Sequence, residues 1–287
     1  MGKQTAKRLP AWLSRRMGQP SRLHDMKNIL RSRNLHTVCE SARCPNIGEC
    51  FSKPTATFMI LGDVCTRRCG FCSVDKTAEP LFVDANEPQN IALTAKELGL
   101  RHVVITSVTR DDLADGGAAQ FALTIRAVRD TINPISIEVL TPDFKGDEKA
   151  LKIVLDEKPD IFNHNIETVS SLYAKVRPQA NYRQSLQVIE TAKKIADCIM
   201  TKSGLMVGLG ETKDEVKSVM NDLFHAGCDA VTIGQYLRPS AKNLEVSEYI
   251  SPEVFKEYEE YGKEIGLKHV YSGPFVRSSY NAEMFVR

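Results

Sequence analysis

No stretch of this chain approaches the ~20 consecutive apolar residues that a bilayer span needs. The N-terminus lacks the apolar core of a secretory signal, and Ala6 stands where a myristoylation signal following Met1-Gly2 wants serine or threonine. No membrane association is therefore expected, and with no address legible the cytoplasm is the expected compartment. Net charge is scarce too, with 38 Lys and Arg against 36 Asp and Glu. Tryptophan occurs once, at Trp12, so the early basic residues lack the aromatic platforms of a single-strand binder and nucleic acid is not an expected partner. No low-complexity linker or clear internal repeat divides the sequence. What is there, 42% hydrophobic and 26% charged residues over 287 positions, is the composition of one large globular α/β domain with extensions.

The balanced charge is unevenly spread. Residues 1–53 hold eleven Lys or Arg against three Asp or Glu, which reads as a basic extension, either a solvated tail or a dock for an acidic partner. Residues 1–20, polar and basic with Pro10 and Pro20, read as a mobile or wrapping arm. Ser21 is placed to cap a short helix over Arg22–Arg33.

From there the pattern alternates. Short β-rich runs at Thr57–Leu61, Val103–Ser107, Ile135–Leu140, Asp160–Asn163, Ile199–Val207 and Ala230–Gln235 are separated by amphipathic stretches. Helices are predicted at Asn90–Leu98, Ala118–Thr131, Glu148–Asp156, Tyr182–Ala196 and Glu211–Ala226. Six strand–helix units with right-handed crossovers predict a parallel sheet curled into a partial (β/α)6 TIM-like barrel. The barrel is assigned to residues 54–240, between the 1–53 extension and a C-terminal extension over 241–287. That last part carries a predicted helix at Pro252–Gly266 and a short run at His269–Tyr271. In barrel enzymes the reactive groups gather at the C-terminal strand ends, and here those ends are polar and glycine-rich.

Six of the eight cysteines fall between residues 39 and 72, which without an export signal argues for metal ligation rather than a disulfide framework. Cys198 and Cys228, isolated among apolar and β-prone neighbours, are expected to be buried structural cysteines. Cys65, Cys69 and Cys72 form C-x3-C-x2-C. A four-iron cluster, a zinc ion and a redox dithiol all compete for them, but structural zinc wants a fourth ligand and a dithiol needs only two. A four-iron cluster on three thiolates leaves one iron open to a small molecule. Cys39, Cys44 and Cys50 form a second triplet, C-x4-C-x5-C, in a segment that reads as loop-rich.

Phe71 immediately before the last cysteine makes the first triplet resemble the radical S-adenosylmethionine superfamily. The resemblance implies that S-adenosylmethionine chelates the open iron and is cleaved to a 5'-deoxyadenosyl radical. Asp115-Gly116-Gly117 resembles the glycine pair that meets the methionine amino group. Gly204 to Glu211, with Gly208 and Glu211 as the contact candidates, resembles the motif near the adenine; a strand followed by a helix cap is the structural reading. Asn165 and Glu167 are expected to touch the ribose region. His164 reads as a satisfied core histidine, and Arg177 as meeting a carboxylate or forming a surface salt bridge.

The second triplet, the tail Arg277-Ser278-Ser279-Tyr280, and the stretches Thr106–Leu113 and Phe162–Thr168 together resemble the lipoyl synthase family from about Thr37 to Tyr280. That resemblance implies an auxiliary 4Fe-4S cluster on Cys39, Cys44, Cys50 and a tail serine, taken as Ser279 with Ser278 the alternative. This cluster is dismantled to supply two sulfur atoms, inserted at C6 and C8 of a protein-bound octanoyl group. Two 4Fe-4S clusters and S-adenosylmethionine are the implied cofactors. The implied partners are an octanoylated lipoyl carrier domain, of the glycine-cleavage H protein or a dehydrogenase acyltransferase, and a one-electron donor such as a flavodoxin or ferredoxin. The competing readings are a methylthiotransferase-type radical enzyme and a non-catalytic cluster scaffold or electron carrier.

Overall fold

The computed structural model describes residues 9–14, 20–51, 53–280 and 282. The wrapping arm expected over residues 1–20 lies largely outside them. Within it, Ala11–Leu13 forms a short 3-10 turn that buries Leu13.

The elements follow in chain order: α1 (Pro20–Ser32), β1 (His36–Thr37), α2 (Val38–Ser41), α3 (Ile47–Cys50), β2 (Thr55–Ile60), α4 (Glu87–Glu97), β3 (His102–Ser107), α5 (Ala118–Thr131) and β4 (Ser136–Leu140). Then come α6 (Glu148–Asp156), β5 (Ile161–Asn163), α7 (Tyr173–Val176), α8 (Tyr182–Ile195), β6 (Met200–Val207), α9 (Lys213–His225), β7 (Ala230–Gln235), α10 (Pro252–Glu264) and β8 (His269–Gly273). The six predicted strands are β2 to β7.

The strands make one sheet in sequential order from β1 to β8. Only β1 runs antiparallel, against β2; β2 through β8 are parallel. Among the described residues no ladder joins β8 back to β1 or β2, so the barrel stays open. The sheet therefore exceeds the six predicted strands by one at each edge. The two residues of β1 are too few to carry a period, and β8 lay in the short His269–Tyr271 run.

The strands read as near-continuous apolar runs because both faces are covered, by helices outside and packed side chains within. Phe58, Ile60, Val103, Ile105, Val139, Phe162, Val207 and Ile233 all enter the core. The extensions share it: Met26, Leu30 and Cys39 from the N-terminal side and Phe255, Tyr258 and Val270 from the C-terminal side belong to the same cluster.

Several boundaries differ from expectation for local reasons. Helix α1 begins at Pro20, a residue suited to a first helical position, so the helix starts ahead of Ser21 rather than after it. The first predicted strand ends at Ile60 because Leu61 turns left-handed at φ 68°. Helix α9 starts after Thr212, whose hydroxyl accepts the Glu215 N–H while Glu215 reaches back to the Thr212 N–H, so Glu211 falls outside it. The second cysteine segment is not a plain loop, since Cys39 lies in α2 and Cys50 ends α3. Cys228 is buried as expected, but Cys198 is exposed, in the turn between α8 and β6 that an apolar neighbourhood in sequence does not reveal.

Candidate active site

At the C-terminal end of β2 the chain turns through Leu61 and Gly62, both left-handed. The Leu61 N–H donates to both carboxylate oxygens of Glu87, the first residue of α4, at 3.0 and 3.1 Å. That turn launches the loop carrying Cys65, Cys69 and Cys72. The loop is tied down along its length: Cys65 N–H donates to Asp75 O at 2.8 Å, Thr66 binds Thr109 O through both N–H and hydroxyl, and Gly70 N–H donates to Val176 O at 2.9 Å. Lys76 Nζ donates to the carbonyls of Cys69 and Cys72, each at 2.6 Å, and Asn243 Nδ2 donates to Cys72 O at 2.9 Å.

The strongest anchor is Arg67, between the first two cysteines. Its guanidinium forks onto two carboxylates at once, Asp111 at 2.7 and 2.9 Å and Asp143 at 2.7 Å through two nitrogens. Burial alone would lower its basicity, but the two acids outweigh that and raise it. Burial likewise would raise Asp143, yet the Arg67 hydrogen bonds and charge hold it down at about 2.

Burial pushes the Cys69 thiol up and the Cys72 thiol to about 11. Burial also lifts Cys39 well above the ordinary range, with Cys44 and Cys50 adding to the rise. Thiols in such settings become thiolates when a cation takes up the charge. Among the described residues no three Cys, His, Asp or Glu side chains are set to hold a single metal ion.

The second triplet lines a cavity together with the tail: Cys39, Cys44, Cys50, Ser279, Tyr280 and Arg277 all border it. Thr37 caps α2, and Asn46 Nδ2 reaches Phe275 O at 2.7 Å, tying the segment before α3 to the tail. Tyr280 donates its hydroxyl to Glu49 at 2.9 Å, and Lys53 both pairs with Glu49 and sits 5.1 Å from the Tyr280 ring centre. The tail reaches this cavity by crossing β7 at Gly234, where a Cβ would lie 2.1 Å from Val276 O. Ser278, by contrast, does not border the cavity; its hydroxyl is engaged by Asn163 and Asn165 at 2.7 and 2.8 Å.

Between the triplets lie the polar strand ends. Gly116 and Gly117 have φ of 61° and 93°, and a Cβ on Gly117 would lie 2.2 Å from Leu61 Cδ1, so this pair fits against the turn that launches the cysteine loop. Asp115 accepts the N–H groups of Gly117 and Ala119, fixing the start of α5. Asn165 Nδ2 donates to Glu167 at 3.1 Å, and burial raises the Glu167 carboxyl while Arg177 opposes the rise. Phe71 packs with Val176, Leu209 and Tyr236 beside the loop.

Gly208 and Glu211 serve the turn after β6. Glu211 accepts the Gly208 and Leu209 N–H groups at 2.5 and 3.0 Å, and a Cβ on Gly208 would lie 2.2 Å from Gln235 Nε2. Both positions are thus explained by local packing. His164 is buried, its Nδ1–H on Thr141 O and its Nε2 on Ser185; burial drives it down to about 4, so it stays neutral at ordinary pH. Arg177 is buried rather than a surface salt bridge. Its Nη1 donates to Asn165 O and Tyr173 Oη at 3.1 Å, and its Nε has no partner.

Sequence reasoning missed Arg67, Asp143, Lys76 and Glu87, which hold the cysteine loop. Arg67 carries a signal, a cation inside the cysteine motif, but Asp143 is 76 positions away and only the fold brings it near. It also missed the pair of Lys202 and Glu138 inside the barrel, 3.0 Å apart and fully buried. Around them Ser107 Oγ, Thr141 Oγ1, Asn163 Oδ1 and Ser272 Oγ are buried without partners at or near the same strand ends. Such orphaned groups mark a place where a polar ligand would find ready contacts.

The profile of the Radical SAM superfamily matches residues 59–223, and that of the N-terminal domain of lipoyl synthase of the radical SAM family matches residues 1–44. The lipoyl synthase of Caldanaerobacter subterraneus is 54% identical over 96% of this chain and 96% of its own. That of Caldicellulosiruptor saccharolyticus is 56% identical, again over 96% of each. Among solved structures, methylornithine synthase is similar in fold at TM-score 0.59 and 14% identity, over 90% of this chain and 84% of that one. SuiB of Streptococcus suis bound to S-adenosylmethionine reaches TM-score 0.61 at 11% identity, over 87% and 53%. More than half the sequence is shared with curated relatives end to end, and the chain belongs to the lipoyl synthase family of the radical S-adenosylmethionine superfamily.

Proposed function

We propose that this protein inserts two sulfur atoms, at C6 and C8, into an octanoyl group carried on a lysine of a lipoyl carrier domain. The observation that carries the reading is the cavity where Cys39, Cys44 and Cys50 meet Ser279, residues drawn from both ends of the chain. When bound, two 4Fe-4S clusters and S-adenosylmethionine supply one-electron hydrogen abstraction from unactivated carbon and the sulfur to be inserted.

Cys65, Cys69 and Cys72 would hold the cluster that engages S-adenosylmethionine, on a loop whose backbone the barrel already fixes. Cys39, Cys44, Cys50 and Ser279 would hold the sulfur donor. A serine oxygen is a harder ligand than a thiolate and so a weaker hold on an iron–sulfur site, which suits a cluster that must be opened. Asn165 and Glu167 would orient S-adenosylmethionine, with Gly116 and Gly117 presenting backbone to its amino group and Phe71 packing beside the loop. Gly208 and Glu211 would contribute the shape of the turn near the adenine rather than free side-chain groups. The buried strand ends would keep water from the reacting carbon.

The carrier would be the H protein of glycine cleavage or a dehydrogenase acyltransferase, and a flavodoxin or ferredoxin would donate electrons. The basic 1–53 extension, of which residues 1–8, 15–19 and 52 lie outside the described residues, would attract an acidic carrier, so docking should weaken as salt rises. Among the described residues no helix is long and apolar enough to cross a membrane, and a cytoplasmic location suits a reduced, cluster-bearing protein.

The test is anaerobic turnover of an octanoyl-lysine carrier with S-adenosylmethionine and reductant, followed by mass spectrometry of the carrier. Two added sulfurs are expected; S-adenosylmethionine cleavage with no sulfur in the carrier would defeat the proposal. A second prediction concerns the crossing point. Gly234→Ala should push the tail off β7, since its Cβ would meet Val276 O at 2.1 Å. Bound iron should then fall below about eight per chain, part of the way toward about four because three thiolates remain, while circular dichroism stays that of the parent. Unchanged iron would show that the tail is not needed to hold the auxiliary site.

A further inference from the structure

Ser278 stands between the two candidate cofactor sites. On one side its neighbour Ser279 borders the cavity of Cys39, Cys44 and Cys50. On the other, its hydroxyl belongs to a run of hydrogen bonds that starts deep in the barrel. Lys202 Nζ donates to both oxygens of Glu138 at 3.1 and 3.0 Å, and both residues are fully buried. Asn163 Nδ2 donates to Glu138 at 2.7 Å and to Ser278 Oγ at 2.7 Å. The Ser278 hydroxyl donates in turn to Asn165 Oδ1 at 2.8 Å, and Asn165 Nδ2 donates to Glu167 at 3.1 Å.

The bonds run in one consistent direction. The Asn163 amide nitrogen can only donate, so Ser278 accepts from it and has its single proton left for Asn165. With Oδ1 fixed toward Ser278, the Asn165 amide must present its nitrogen to Glu167. The far end is rigid, because register sets Asn163 between Leu140 and Lys202 on adjacent strands and the ion pair holds its amide. A residue of the tail thus holds the Asn165 amide and, through it, meets Glu167.

We propose that Ser278 is a positioning residue that couples docking of the tail on the auxiliary cavity to the binding of S-adenosylmethionine. This rests on the functional reading above, in which Asn165 and Glu167 meet that molecule. Sulfur donor and radical source would then be assembled together: a chain whose tail is undocked binds S-adenosylmethionine weakly and does not spend it. By reciprocity, bound S-adenosylmethionine would favour the docked tail by the same factor.

The experiment compares the parent, Ser278→Ala, Asn165→Ala and the double variant, all full-length and anaerobically reconstituted. It reads S-adenosylmethionine cleavage kinetics together with iron and sulfide content. In Ser278→Ala the KM for S-adenosylmethionine should rise about tenfold, the equivalent of one hydrogen bond at about 1.4 kcal/mol. Its kcat should stay within about threefold, because the residue touches no reacting atom, and its iron should match the parent. Added to Asn165→Ala, the same change should raise KM by less than about twofold, since the effect passes through Asn165. An unchanged KM in Ser278→Ala, or full additivity in the double variant, overturns the coupling. Loss of half the iron in Ser278→Ala also overturns it, by making Ser278 a ligand. A parent that does not cleave S-adenosylmethionine at all sinks the functional reading and the coupling with it, whereas the first three outcomes leave that reading standing.

Discussion

Replacing Cys39, Cys44 and Cys50 together by alanine is expected to abolish lipoyl product while leaving the kcat of S-adenosylmethionine cleavage near the parent value at saturating S-adenosylmethionine, any loss of tail docking appearing in KM alone. Bound iron should drop from about eight to about four per chain, as for two four-iron clusters of which one is lost. Apart from the Ser73 hydroxyl on Ser41 O, the two triplets are held by different parts of the fold, which is why the losses should separate. Cys65, Cys69 and Cys72 sit on a loop anchored to Asp75, Thr109 and Val176, none of which belongs to the auxiliary cavity. Ser279→Ala should lose product as well, by about 100-fold or more, with a smaller loss of iron because three thiolates remain. Iron analysis, deoxyadenosine formation and carrier mass spectrometry on the same preparations decide the matter. If the triple variant stops cleaving S-adenosylmethionine, the assignment of the two triplets is wrong.

Arg67→Met should be the most damaging single change away from the cysteines. It leaves Asp143 with no exposed surface and no counter-charge, and removes the bidentate hold on Asp111. Breaking one side of a buried ion pair costs about 3–5 kcal/mol, and here the cost falls on the loop between Cys65 and Cys69. Cleavage of S-adenosylmethionine should drop by about 100-fold or more, with iron lost from the radical-generating site first. Arg67→Lys should not rescue it, because a single ammonium cannot fork onto two carboxylates. The same pair gives a pH signature. Asp143 is held at about 2 rather than 3.8, so its contribution is complete above ~4 and is lost as pH falls toward 2. Thermal unfolding midpoints should therefore differ between parent and Arg67→Met by a full, constant amount above pH ~4 and converge as the pH approaches 2. Equal stability of the two proteins at neutral pH would show that the ion pair does not hold the loop.

Much of the barrel was legible before any coordinates. The strands β2 to β7 are continuous apolar runs because they are buried on both faces, and the helices between them carry the period of a one-sided face, so composition along the chain reports the layers directly. Helices α5 and α6 fall where their patterns place them, at Ala118–Thr131 and Glu148–Asp156. Edge strand β1 was not legible, because a two-residue pairing has no period. The exposure of Cys198 was not legible either, because a turn after a helix can expose a residue whose sequence neighbours are apolar.

The site divides along the same line. Two cysteine triplets and a serine tail are local patterns, so the sequence carried the class of cofactor and the family through its resemblance to known motifs, beside a ligand chemistry that restricts what three closely spaced thiols can do. It did not determine which tail serine meets the second triplet, nor that Gly208 and Glu211 are occupied by their own turn, nor that Arg67 finds Asp143. Those are decided by contacts between segments distant in the chain, whose partners no spacing encodes. Only when β7 brings the tail across Gly234 does Ser279 enter the cavity and Ser278 turn inward to Asn163 and Asn165. Two adjacent and chemically identical hydroxyls were thereby given different surroundings by tertiary structure.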